Sequence, residues 1–150
     1  MPGLRYKNVQ FSYSILIIFV ITFLLVIYPF TDKTNLYFPA LFLIIIFIIF
    51  HKLTITLNES KISAYFGFGF FKKEMPIKDI DIASIQKIKV NWLTGLGIRI
   101  TNHGWLYNVN FGNAILLKSK DKTKTFFVGT ADFENLKRVL IEEIHTEEML

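Results

Sequence analysis

Three histidines, His51, His103 and His145, and no cysteine stand in the 150 residues of this chain. No two histidines have the i, i+4 spacing that would turn two imidazoles toward one metal on a helix, and no thiolate is present to ligate zinc or attack a substrate. No serine sits in a nucleophile motif with a histidine and an acid. Asp79 and Asp81 alternate, so a strand would place both carboxylates on one face, where like charges prefer water. Gly67-Phe68-Gly69 and Gly95-Leu96-Gly97 resemble pieces of phosphate loops. Neither lies between a strand and a helix N-terminus, where backbone N–H groups and the helix dipole would meet a phosphate. These glycines read as turns, bulges or close backbone approaches. The expectation is a chain with no catalytic residue, no metal ligands and no cofactor, and so not an enzyme.

Positive charge is the one feature with functional weight. The net charge is +5. From residue 51 onward, acidic residues gather toward the C-terminus, whereas Lys72, Lys73, Lys118, Lys120, Lys122 and Lys124 fall on predicted strands and turns. A lysine near an anionic lipid surface gains about 1 kcal/mol, which makes these six the candidate residues for contact with lipid headgroups or a protein partner. Nucleic acid is not an expected partner, because no stacking platform with a recognisable motif accompanies the lysines.

The elements that must carry these residues divide the chain in two. Residues 11–50 contain 30 apolar residues in 40, and from Phe11 to Phe30 there is no charge. Twenty helical residues rising ~1.5 Å each would match the ~30 Å hydrocarbon core of a bilayer. The second run, Leu36 to Phe50, reaches that length only by borrowing Asn35 and His51 to Leu53. The sequence therefore predicts a transmembrane helical hairpin, with helices at about 11–30 and 35–52, a polar turn at Thr31 to Asn35, and Tyr13, Tyr28 and Tyr37 near the interfaces. No small-x-small cleavage site follows the first run, so it is not read as a signal peptide. Arg5, Lys7, Lys52, Lys61, Lys72 and Lys73 flank the hairpin against Lys33 alone in its loop. This predicts an integral, multi-pass protein of the inner (cytoplasmic) membrane with both termini cytoplasmic. Neither run carries an interior ionisable residue, which argues against transport. The domain expectation is residues 1–52 for the N-terminal segment and hairpin, and 53–150 for a cytosolic domain.

After the hairpin the period changes to two. Leu53, Ile55 and Leu57 alternate with Thr54 and Thr56, and Asn58-Glu59-Ser60 supplies a turn. Further strands are predicted at Lys61 to Phe66, Lys72 to Met75, around Ile88 to Val90, Gly97 to Thr101, Trp105 to Val109, Ala114 to Lys118 and Thr123 to Val128. The irregular Ser84-Ile85 step marks a bulge or short helical turn. Phe133, Leu136, Val139, Leu140 and Ile144 then recur at helical spacing, with Thr130 as the expected N-cap. The fold class predicted is α+β: the hairpin, then a mostly antiparallel sandwich or open barrel of about seven strands, closed by a C-terminal helix.

Trp92-Leu93-Thr94-Gly95-Leu96-Gly97-Ile98-Arg99, Gly104-Trp105-Leu106-Tyr107-Asn108-Val109 and Phe127-Val128-Gly129-Thr130-Ala131-Asp132-Phe133 resemble the bacterial pleckstrin-homology-like membrane proteins, small chains with one or two N-terminal helices. Many relatives carry Pro where this chain has Phe133. The resemblance implies a cytosolic-side domain without a defined active site, and assigns Trp92, Gly95, Gly97, Arg99, Gly104, Trp105, Gly129 and Thr130 to the structural motif. Trp92, Trp105, Ile98 and Tyr107 are expected in or against the core, with Arg99 beside it. The functional expectation is a membrane-anchored, non-catalytic interaction module that binds a protein, itself or anionic lipid headgroups. The alternative is a scaffold subunit of a larger membrane complex whose hairpin makes the essential contacts.

Overall fold

The computed structural model describes residues 3–27, 37–91 and 93–149. Its first element lies ahead of the helices. Strand β1 (Leu4–Phe11) pairs antiparallel with β2 (Lys52–Asn58), Phe11 opposite Lys52 and Lys7 opposite Thr56. Strands β3 (Lys61–Phe66) and β4 (Phe70–Pro76) complete a four-stranded sheet in the order β1-β2-β3-β4. The Asn58 side chain closes the β2–β3 turn by accepting from Ser60 N, Ser60 Oγ and Lys61 N at 2.9–3.1 Å, which is why Asn suits that position. Gly67 opens the β3–β4 turn at φ +55°, and a Cβ there would sit 2.7 Å from the Ile48 carbonyl oxygen.

Two short 3-10 turns, Ile77–Asp79 and Ile82–Ser84, lead into the second sheet, and the latter explains the broken alternation at Ser84-Ile85. This sheet contains β5 (Gln86–Val90), β6 (Gly97–Thr101), β7 (Gly104–Asn108), β8 (Gly112–Lys118) and β9 (Thr125–Gly129) in the order β5-β8-β9-β7-β6. The β7–β9 pair is parallel. Leu53, Ile55, Leu57, Ile62, Ala64 and Phe66 of the first sheet meet Ile115, Leu117, Phe126 and Val128 of the second in one core. On β8 the residues Ala114, Ile115, Leu116 and Leu117 are all buried, because a smaller cluster with Leu106 and Phe127 forms on the sheet's other face.

The terminal helix, α3 when counted after the two N-terminal helices described next, spans Phe133–Glu148 and buries Leu136, Leu140 and Ile144 at helical spacing in the same core. Its N-cap position is Asp132, which corrects the expectation for Thr130. Thr130 is buried two residues earlier, where its Oγ1 accepts from Asp132 N at 3.2 Å. Strand β1 fastens this corner: Tyr6 OH donates to Asp132 Oδ2 (3.2 Å), Gln10 Nε2 donates to Gly129 O (3.0 Å), and Ala131 N donates to Gln10 Oε1 (3.1 Å).

Between β1 and β2 lie α1 (Tyr13–Ile27) and α2 (Tyr37–Phe50), in contact through Phe19 and Phe47, whose ring centroids are 4.8 Å apart. This corrects the transmembrane hairpin. Their described residues number 15 and 14, and at ~1.5 Å per residue these reach roughly 22 Å and 21 Å, short of the ~30 Å hydrocarbon core. No helix among the described residues is long and apolar enough to cross a membrane. The physical reason lies at the ends. Phe11 belongs to β1, and Ser12 caps α1, its Oγ accepting from Ile15 N at 3.1 Å and donating to Val109 O at 2.5 Å. Lys52 and Leu53, which the sequence reading lent to the second span, belong to β2, where Leu53 is fully buried. An unbroken apolar run marks where side chains avoid water and does not mark where a helix hands over to a sheet. The integral-membrane partnership and the multi-pass inner-membrane location with cytoplasmic termini fall with the hairpin. The described residues form nine strands in two sheets with a C-terminal helix, rather than about seven strands behind a membrane anchor. The expected turn at Thr31 to Asn35, and Tyr28, lie outside the described residues.

Candidate functional site

The two sheets splay apart between β4 and β7. On β4, Lys73 and Met75 alternate and so point the same way, with Phe71 at a register irregularity ahead of them; on β7, Trp105 and Tyr107 share a face, with Ile98 opposite Tyr107 on β6. These side chains, with Glu74, Gly104, Thr123, Lys124 and Thr125, line a cleft of about 660 Å³. Met75 is buried at its base, and Trp105 stands at its edge 53% exposed. That exposure corrects the placement of Trp105 in the core. Ile98 and Tyr107 do pack against the core, and Trp92 lies outside the described residues.

Lys73 crosses the cleft. Its Nζ donates to the Trp105 carbonyl oxygen at 2.8 Å and lies 5.2 Å from the centre of the Tyr107 ring. Burial pushes its amine down from 10.5 to about 8 and pushes the Tyr107 hydroxyl up. The neighbouring carboxylate is committed elsewhere. Glu74, the next residue of β4 and itself a lining residue of the cleft, binds Lys61 (2.8 Å), Lys72 (2.6 Å) and Ser63 Oγ (3.0 Å). Hydrogen bonds from Lys61 and then Lys72 hold its carboxyl down at about 2. Lys73 makes no ion pair among the described residues. An aromatic path supports the cleft from behind: Tyr107 meets Phe66 (5.5 Å), Phe66 meets Phe50 of α2 (5.1 Å), and Phe50 stacks on Phe71 (5.8 Å). Phe71 is held at φ +47°, a left-handed conformation unusual for an aromatic residue.

The six candidate lysines do not form one face. Lys73 and Lys124 line the cleft, while Lys72 does not and pairs with Glu74. Lys118 and Lys122 line an adjoining hollow of about 400 Å³ with Asp81 and His103, joined to the cleft through Gly104 and Thr125. Lys120 lines neither, and its backbone N–H donates to Asp79 O at 2.8 Å. Of the motif residues, Gly95, Gly97 and Gly104 take positive φ, and Gly129 packs against the Asn108 side chain, which would obstruct any Cβ there. Arg99 is exposed, its Nε donating to Leu96 O at 3.0 Å. His51 Nδ1 lies 2.8 Å from Ile48 O at the end of α2, and His103 meets the edge of Phe127. No group of three or more metal-ligating side chains occurs among the described residues.

Sequence reasoning named Lys73, Lys124, Gly104, Trp105, Ile98 and Tyr107 without bringing them together, and missed Phe71 and Met75 as functional residues. The alternation on β4 and on β7 was the available signal. That the two faces meet is a tertiary fact, and Lys73 and Trp105 are 32 residues apart. Comparison with protein-family models, characterised proteins and solved structures returns no match, so the geometry of this cleft is what a functional reading has to stand on.

Proposed function

We propose that this chain is a non-catalytic binding module of the pleckstrin-homology-like kind, with the cleft between β4 and β7 as its recognition site. The observation that carries the reading is Trp105. A tryptophan half in water at the rim of an apolar concavity supplies a large, rigid contact surface that folding has not used. The cleft's size falls within the few hundred to ~1,000 Å³ usual for small-molecule sites, and its walls are apolar with a few polar groups. No nucleophile with a base in hydrogen-bond reach lines it, so binding describes it better than turnover. The test is amide chemical-shift mapping of the full chain against a small library of amphipathic fragments. Shifts gathered on Phe71, Lys73, Trp105 and Tyr107 support the reading, and shifts scattered elsewhere refute it.

A second reading, a scaffold subunit whose helix pair makes the essential contacts, is favoured by one observation. Leu16, Ile17, Ile21, Leu24 and Leu25 of α1 and Leu41, Phe42 and Ile45 of α2 are exposed, and no residue of α2 is buried. Exchanging α1 and α2 for an unrelated helix pair separates the two readings, since cleft binding survives the exchange only under the first.

A further inference from the structure

We infer that the ligand of the cleft is a small amphipathic monocarboxylic acid, its carboxylate paired with Lys73 and its apolar body laid between Trp105 and Tyr107. This names the ligand class and rests on the binding-module reading above.

The charge argument comes first. Lys73 reaches into the cleft with only a neutral acceptor, the Trp105 carbonyl oxygen, at 2.8 Å. The carboxylate that lines the cleft, Glu74, is already bound and neutralised by Lys61 and Lys72, with Ser63 as a further donor. A carboxylate offered to Lys73 would replace a neutral hydrogen bond with a charge-assisted one, shorter and roughly twice as strong. The same Nζ sits near the Tyr107 ring, so the anion would be met by an amine already held in place rather than by a free side chain.

The number of charges narrows the class. Lys124, the other cation at the cleft, is exposed at its rim and retains its water, which leaves one amine partly withdrawn from solvent. A monoanion is neutralised by that amine, whereas a phosphate dianion would carry an uncompensated charge into an apolar site, which is costly. Shape narrows it further. Met75 is buried beneath the cleft, and Phe71, Ile98, Trp105 and Tyr107 give it apolar and aromatic walls. A compact acid with an aromatic or branched body fits against those side chains.

The experiment compares two nearly isosteric probes, 4-phenylbutyrate and 4-phenylbutanamide, on the full chain. The readouts are Trp105 fluorescence in a Trp92→Phe background and amide shifts in the wild type. The expected result is that the carboxylate binds at least about tenfold tighter than the amide. Lys73→Met removes that preference, and Lys73→Arg keeps it. Equal binding of the two probes to the wild type, or a preference that persists in Lys73→Met, overturns the monocarboxylate inference and leaves the binding module standing. Failure of both probes to shift any cleft residue overturns both.

Discussion

Lys73→Met is the substitution whose consequence follows most directly from the geometry. The folded chain lowers the amine from 10.5 to about 8 because it is partly withdrawn from water without a carboxylate partner. Below pH 8 the amine is protonated in folded and unfolded chains alike, so its desolvation weighs on stability by a constant amount. Between pH 8 and 10.5 the unfolded chain holds a proton that the folded chain has released, and stability climbs with pH. Above 10.5 the climb ends. At ~1.36 kcal/mol per pH unit the full displacement corresponds to about 3 kcal/mol. The ammonium is still in partial contact with solvent, which screens the effect and leaves about 1 kcal/mol. Urea unfolding at pH 7, 8, 9, 10 and 11 measures it. The quantity to read is wild type minus Lys73→Met, in which contributions common to both proteins cancel. That difference is expected to move in favour of the wild type by about 1 kcal/mol between pH 8 and 10.5. Parallel profiles would refute the placement of Lys73 as a desolvated, carboxylate-free amine.

Trp105→Ala is expected to cost roughly 1–2 kcal/mol in chemical denaturation, well under the 3–5 kcal/mol of a buried tryptophan, because about half the side chain already faces water. The same variant is expected to lose cleft binding, and a loss of 4 kcal/mol or more would return Trp105 to the core. Glu74→Gln is expected to weaken the chain by about 1 kcal/mol at neutral pH, the exposed side of its carboxylate screening the rest. Because the Glu74 carboxyl is depressed from 4.5 to about 2, that contribution is complete above pH 4.5 and fades as pH falls toward 2. Acid unfolding curves of the two proteins should therefore converge at the acid end, and a gap that stays constant with pH would contradict the assignment.

Much of the sandwich is legible in the sequence because its signals are local. Leu53, Ile55 and Leu57 alternate into a strand whose inner face is fully buried, and Leu136, Leu140 and Ile144 trace the buried stripe of α3. Strand β1 was hidden because only Tyr6 and Gln10 of its eight residues are buried, and one of those is polar, held by Gly129 and Ala131 across the domain. The helix lengths were misjudged because Phe11 and Leu53 are as apolar as their helical neighbours, and only strand pairing reveals that the sheet claims them. Lys72 and Lys73 show the limit for the site. They are identical in type and adjacent in sequence, yet one salt-bridges Glu74 and the other enters the cleft. The pleat supplies that distinction; which face of β4 meets β7 depends on contacts made across the two sheets.

If the cleft between β4 and β7 is the binding site and the two sheets build it, the sandwich with β1 but without α1 and α2 is expected to fold and to keep the site. Phe11 pairs with Lys52, and Ser12 N donates to His51 O at 2.9 Å, so residues 13–50 can be replaced by the two-residue turn Asn-Gly between Ser12 and His51. Loss of Phe50 from behind the cleft is expected to cost a few kcal/mol without abolishing folding. The decisive measurement is the amide correlation spectrum of this shortened chain, titrated with 4-phenylbutyrate. The account predicts a dispersed spectrum in which Lys73, Trp105 and Tyr107 shift on titration. A collapsed spectrum, or a dispersed one whose cleft ignores the ligand that the full chain binds, would contradict it.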